Sequence, residues 1–197
     1  MTTQDEAPSE VMSKSLVFAK PSAAHLRAML AIHCDPRTHA HNPFGPPTAA
    51  TAATLFEGWL AHWDREGFGY WAICSSATSH EVLGFGGIMR KPVGSRFGLN
   101  LYFRLSPLAW GQGLASAIAR EALSQAFIER GEPEVLALVR PANTPSRRTL
   151  ERARLSVIDT TDDVSGQEPS LLYRISRADF QRKDRAMQCS DSPHSSA

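Results

Sequence analysis

Cysteine is scarce in this chain: Cys34, Cys74 and Cys189 are its only three, they lie far apart, and none belongs to a C-x-x-C pair. An odd, scattered set builds neither a disulfide framework nor a structural zinc site. Charge of one sign is lacking too, with 21 basic against 20 acidic side chains and a formal net charge of +1. That balance gives no electrostatic footprint for nucleic acid or for an anionic membrane. No apolar run comes near the roughly 20 residues that a bilayer span requires. The opening residues, MTTQDEAPSE, have neither the basic start nor the apolar stretch of a secretory signal, so the expected compartment is the cytoplasm. Repeats and long Gly/Ser or Pro-rich linkers are absent as well, which predicts a single domain over residues 14–180. Residues 1–13 and 181–197 hold few large apolar groups and cannot offset their ordering entropy; both read as flexible tails.

What is present alternates between short apolar runs and helical periodicity. The run from Leu16 to Ala19 predicts a strand. Pro21 and Ser22 open a helix with Leu26, Met29, Leu30 and His33 along one side, and Pro36 ends it. Residues 39–48, HAHNPFGPPT, read as loop; Thr51 to Trp63 returns to helical spacing, and Gly67 closes that helix. Strands are predicted at Tyr70 to Cys74, Val82 to Met89, Leu99 to Leu105 and Val135 to Val139. Between the last two, Leu114 to Ile128 carries a broad apolar stripe through Ile118, Ala119, Ala122, Leu123, Ala126 and Phe127. Strand, helix and strand in that order predict a parallel β-α-β unit inside an otherwise meandering sheet, so the fold class is mixed α/β.

The segment Leu105-Ser-Pro-Leu-Ala-Trp-Gly-Gln-Gly-Leu-Ala115 lies between a strand and that helix. Gly111 and Gly113 allow a tight turn that bares backbone N–H groups, and the helix start adds unpaired amides and a positive dipole end. A glycine pair ahead of a helix also makes an ordinary turn. Here, however, no Ser, Thr, Asp or Asn stands at residue 113 to cap the helix, as though a phosphate does so. A dinucleotide fingerprint would need a third glycine at Ser116 and an acid after the next strand, where Arg140 stands. A Walker A loop would need Gly-Lys-Ser/Thr, which is missing.

The stretch Trp110-Gly111-Gln112-Gly113-Leu114-Ala115 resembles the acyl-coenzyme A pyrophosphate loop of GNAT N-acetyltransferases, in the Trp-Gly-x-Gly-x-Ala form of the RimJ/RimL-type, ribosomal-protein acetyltransferase-like branch. Asn143-Thr-Pro-Ser146 resembles that branch's Asn-x-x-Ser helix start, and Trp59 to Trp63, Gly67 to Ile73 and Val82 to Gly87 resemble its second helix and following hairpin. The resemblance covers about residues 16–176. It implies a GNAT acyl-CoA N-acyltransferase fold, with a mixed, mostly antiparallel central sheet flanked by helices. The sheet would splay between the strands ending near Leu105 and Val139 to admit the pantetheine arm. Backbone groups of Leu101, Tyr102 and Phe103 would bond that arm as a strand would, residues 110–115 would take the pyrophosphate, and Asn143 would touch the coenzyme. Thr144 as cap with Pro145 in the first turn is the structural account of the same residues.

By the same resemblance the reaction is acetyl transfer from acetyl-CoA to a primary amine, with no metal. The acceptor would be a small-molecule amine or a protein N-terminus; the sequence does not choose between a monomer and a homodimer. Asn100 stands where many relatives carry Glu, and an amide takes no proton near neutral pH. Leu150 stands where other branches have a Tyr, which leaves Ser146 as the hydroxyl for the departing sulfur. Arg154 stands where the family has Gly, so the end of that helix is expected to differ. An amine of pKa ~10.4 is neutral in roughly one molecule in a few thousand at pH 7, and an α-amine near 8 in roughly a tenth, so a site without that Glu suits the weaker base. His39, His41, Asp64 and Glu66 are the other proton acceptors within the region expected to cover the acceptor pocket. The spacing of His33, Cys34, Asp35, His39 and His41 matches no zinc pattern. A non-catalytic acyl-CoA-binding domain is the alternative that Asn100 and Leu150 permit.

Overall fold

The computed structural model describes residues 16–76 and 81–182. The tails expected at 1–13 and 181–197 lie outside the described residues, apart from 181 and 182. Seven strands form one sheet: β1 (Leu16–Ala19), β2 (Tyr70–Ser75), β3 (Glu81–Val93), β4 (Arg96–Leu105), β5 (Glu134–Val139), β6 (Ser156–Thr161) and β7 (Ser170–Ser176). Their spatial order is β1-β2-β3-β4-β5-β7-β6. All neighbours are antiparallel except β4 and β5, which are parallel as the β-α-β reading predicts. The α-helices among the described residues include α1 (Leu26–His33), α2 (Ala49–Glu66), α3 (Leu114–Ser124) and α4 (Thr144–Arg152).

Both faces of the sheet are covered. All six residues of β2 are buried, and their alternation splits them between two cores. Trp71 and Ile73 join Leu114, Ile118, Ala119 and Ala122 of α3, whereas Tyr70 and Ala72 join Met29 and Ile32 of α1 and Phe56 and Trp59 of α2. The apolar stripe read from the sequence is thus the buried face of α3. Close approach there depends on Gly86 of β3, where a Cβ would stand 2.7 Å from the Tyr102 carbonyl oxygen and 2.8 Å from Ile118 Cγ2. Helix α2 ends where expected, on Gly67 at φ 73°.

Four features depart from the sequence reading. The β3–β4 hairpin runs on to Val93↔Arg96, past Pro92, because β3 has already lost β2 as a neighbour beyond Gly87 and an edge position tolerates proline. The helical stretch after Leu114 changes to a π-turn over Gln125–Glu129. Strands β6 and β7 were not expected; β6 is an exposed edge, while β7 buries Leu172 and Tyr173 completely. Finally, Arg154 does not distort the end of α4. It adopts the left-handed conformation itself, at φ 71°, and Leu155 N–H closes on the Leu150 carbonyl at 3.0 Å.

Candidate active site

Strands β4 and β5 share one register pair, Asn100↔Leu136. Beyond it they part, while β4 stays paired to β3 as far as Leu105 and β5 to β7 as far as Val139. Two continuous half-sheets therefore flank a V-shaped opening. It forms a cleft of about 350 Å³ whose walls include Leu101, Tyr102, Phe103 and Arg104 of β4, Ala137 to Arg140, Asn143, Ser146 and Leu150. Thr38, His41, Asn42 and Phe44, from the loop between α1 and α2, form its rim. The β4 edge at Leu101–Phe103 has no strand partner on this side, which leaves its backbone available to an extended ligand.

The glycine loop lies at the end of β4. Gly111 and Gly113 are both left-handed, at φ 75° and 74°, with open space where a Cβ would stand. The backbone conformation, not crowding, is what calls for glycine there. Gly113 is the N-cap of α3 and offers no side chain to it. Among the described residues, the N–H groups of Gly111, Gln112, Gly113, Leu114 and Ala115 meet no acceptor. Five free amides at a helix N-terminus, with open space over the glycines, are the kind of donor set that an anion accepts from. Side chains brace the loop: Trp110 Nε1 donates to the Leu105 carbonyl at 3.1 Å and the Gln112 amide to the Leu108 carbonyl at 3.1 Å.

At the far wall, Asn143 caps α4: its Oδ1 accepts from Ser146 N–H at 3.2 Å. The cap expected at Thr144 therefore belongs one residue earlier, and Pro145 fills the first turn. The bond brings Asn143 and Ser146 together in the cleft wall. Arg147 is held away from that wall, donating to Tyr173 Oη at 3.3 Å and to the Pro141 carbonyl at 3.1 Å.

Asn100 is placed otherwise. It is 8% exposed, it is not part of the cleft wall, and its Nδ2 donates to Tyr70 Oη at 2.6 Å. Burial raises the Tyr70 phenol far above its ordinary pKa, against the opposing effect of the Asn100 amide, so the phenol remains neutral. Asp64 pairs with Lys20 and Glu66 with Arg65, and neither lines the cleft. Asp163 does, but it is paired to Arg140 at 3.3 Å and accepts from Ser170 Oγ at 3.1 Å.

Beside the cleft runs a hydrogen-bonded chain that the sequence did not suggest. His33 Nδ1 lies 3.2 Å from the Met29 carbonyl, which can only accept, so Nδ1 carries the proton and Nε2 accepts from Tyr102 Oη at 2.8 Å. The same phenol accepts from Arg104 Nε at 2.9 Å. Arg104 Nη1 donates to the Thr38 carbonyl and, at 3.1 Å, to Thr38 Oγ1. Burial, then the Arg104 charge, lowers the His33 pKa to about 3, and the same two causes lower that of His39. His39 Nε2 is buried without a partner. Among the described residues, no three His, Cys, Asp or Glu side chains converge as a metal site would require. None of the described helices is long and apolar enough to cross a membrane.

Residues 15–156 match the acetyltransferase (GNAT) domain family. A curated relative is the FsC-acetyl coenzyme A-N(2)-transacetylase of Aspergillus fumigatus, 28% identical over 139 residues, or 68% of this chain and 55% of that protein. The chain thus spans about half the length of that relative. Among solved structures, an acetyltransferase from Agrobacterium tumefaciens superposes with a TM-score of 0.68 at 24% identity, covering 81% of this chain and 90% of that one. The Vibrio cholerae spermidine N-acetyltransferase, solved with CoA and spermine, gives 0.66 at 11% identity, covering 84% and 98%. At those identities the likeness is one of fold.

Proposed function

Because the chain belongs to the GNAT acetyltransferase domain family, we propose that it is a cytoplasmic N-acetyltransferase that moves the acetyl group of acetyl-CoA to an amine. The observation that carries this reading is the row of five unpaired amides from Gly111 to Ala115, set against the opening between β4 and β5. The loop would hold the pyrophosphate, the free edge at Leu101–Phe103 the pantetheine arm, and the Asn143–Ser146 cap the opposite wall. The name of the Aspergillus relative, a transfer from acetyl coenzyme A to N(2), supports the same chemistry. The Trp-Gly-x-Gly-x-Ala and Asn-x-x-Ser pair supports the RimJ/RimL-like branch.

In this reading the residues position and polarise. Backbone N–H groups of Leu101 and Phe103, which alternate away from β3, orient the thioester so that its carbonyl faces the amine, and alignment of the two reactants supplies much of the acceleration. The C–N bond forms as the C–S bond breaks; the amine gives up its proton and the sulfur leaves as the thiol. Ser146, half-buried in the cleft wall, supplies a hydroxyl hydrogen bond or proton to the sulfur. No unpaired carboxylate lines the cleft among the described residues, so the acceptor enters neutral rather than being deprotonated by Asp or Glu. The same feature favours the second reading, a non-catalytic acyl-CoA-binding domain.

Thiol release from acetyl-CoA against a panel of amino acids, polyamines and free peptide N-termini separates the two. The enzyme reading expects thiol and N-acetyl product in equal amounts, with kcat/KM rising with pH until the acceptor's own amine is deprotonated. Binding without release leaves only the second reading, and absence of binding refutes both.

A further inference from the structure

Among the described residues, Arg104 is the one charge in the cleft left uncompensated. Besides it, the charged side chains of the walls are Arg140 and Asp163, which pair with each other. No carboxylate lies within ion-pair distance of Arg104 among the described residues. The guanidinium is nonetheless held fast, with Nε on Tyr102 Oη and Nη1 on the Thr38 carbonyl and hydroxyl. Nη2 has no acceptor among the described residues, so its two N–H groups remain for a ligand. Of the titratable neighbours of Arg104, His33 and His39 are driven towards their neutral forms, in part by its charge, and burial raises the pKa of the Tyr102 phenol, so that it too stays neutral. A half-buried cation fixed by neutral partners, with spare donors at a cleft wall, is arranged to receive an anion.

Its place puts the anion beside the strand edge that faces the cleft. Tyr102 and Arg104 are two residues apart on one strand and so point to the same face, about 6.6 Å apart along the chain. Resting on the acetyltransferase reading above, the thioester lies along Leu101–Phe103. An amine at its carbonyl and an anion on Arg104 Nη2 then meet the same stretch of β4. We propose that the acceptor is an amino carboxylate and that Arg104 binds its carboxylate. A polyamine would bring further positive charge to the same guanidinium, with no acidic wall to receive it.

The test measures kcat/KM with saturating acetyl-CoA for matched acceptors that share a side chain: the free amino acid, its carboxamide and the decarboxylated amine, with spermidine as a polycation. With each kcat/KM scaled to the fraction of neutral amine, the protein prefers the acid over the carboxamide on the order of 100-fold. In Arg104→Gln that ratio falls towards one, and in Arg104→Lys it stays between the two. Because the ratio is taken within one variant, loss of folded protein cancels. Equal use of acid and carboxamide, preference for spermidine, or a ratio that survives Arg104→Gln overturns the proposal but leaves the acetyltransferase reading standing. If acetyl-CoA binds and no acceptor reacts, thermal unfolding with CoA plus an N-acetyl amino acid or its N-acetyl carboxamide decides. Stabilisation by the acid alone, lost in Arg104→Gln, upholds the carboxylate site, and any other pattern overturns it. Failure to bind acetyl-CoA removes the acetyltransferase reading and this proposal with it.

Discussion

Lowering the pH from 7.5 to 5 should destabilise this fold through His33 before its carboxylates respond. The ring is 2% exposed, bonded at both nitrogens in its neutral form, and lies in the field of Arg104. Its pKa falls from 6.5 in a free chain to about 3 in the folded protein. Above pH 6.5 both states are neutral at this position and its contribution is fully present. Below 6.5 the unfolded chain takes up a proton that the folded one refuses until about pH 3, so stability is lost as pH falls. At about 1.4 kcal/mol per pH unit, the loss reaches roughly 2 kcal/mol at pH 5, a large share of a stability of about 5–15 kcal/mol. His39 and His62, whose pKa values burial also lowers, add to it in the same direction. Unfolded carboxylates titrate near pH 4, so pH 5 to 7.5 isolates the histidines. Urea unfolding across that window checks the figure, with His33→Gln as comparison, because its amide can still accept from the Tyr102 hydroxyl. The wild type should lose about 2 kcal/mol more than the variant between pH 7.5 and 5. Equal losses, or a His33 ring that titrates near 6.5 by NMR, would refute the reasoning.

Replacing the left-handed Arg154 by Gly should raise stability by up to about 1 kcal/mol, since relief of the Cβ clash exceeds the entropy that glycine adds to the unfolded chain; chemical denaturation measures it. Gly86→Ala should cost about 1–3 kcal/mol, because the new Cβ meets the Tyr102 carbonyl oxygen at 2.7 Å and Ile118 at 2.8 Å. Gly58→Ala, on α2 with nothing within 4 Å, should stabilise by about 0.5–1 kcal/mol in the same assay.

Legibility in the sequence followed locality. Helix α3 is readable because its buried stripe is local, and the left-handed glycine turn because Gly111 and Gly113 stand beside an uncapped helix start. The Asn143–Ser146 pair was readable as a motif, although its cap was placed one residue late. Strand β6 was not legible: Ser156–Thr161 is mostly exposed and lacks the apolar alternation that marks a strand. Arg90-Lys-Pro hid the far half of the β3–β4 hairpin, since only the loss of β2 as a neighbour explains why Pro92 is tolerated. Nothing local joins His33 to Tyr102, 69 residues on, or Thr38 to Arg104, 66 residues on, so the chain of bonds beside the cleft emerges only from the fold. Asn100 had a single-residue reading as an idle catalytic position; the fold shows it buried against Tyr70.

The central claim is that free amides at Gly111 to Ala115 hold the pyrophosphate of coenzyme A. Thermal unfolding of the wild type, Gly113→Ala and Gly113→Asp with acetyl-CoA, NAD or ATP tests it most directly. Acetyl-CoA at 100 times its dissociation constant should stabilise the wild type by about 2.7 kcal/mol. Gly113→Ala, strained at φ 74° but uncharged and unobstructed, should keep part of the shift, and Gly113→Asp should lose it to bulk and negative charge at the helix N-terminus. Stabilisation by NAD or ATP without any by acetyl-CoA, or an undiminished acetyl-CoA shift in Gly113→Asp, would contradict the account.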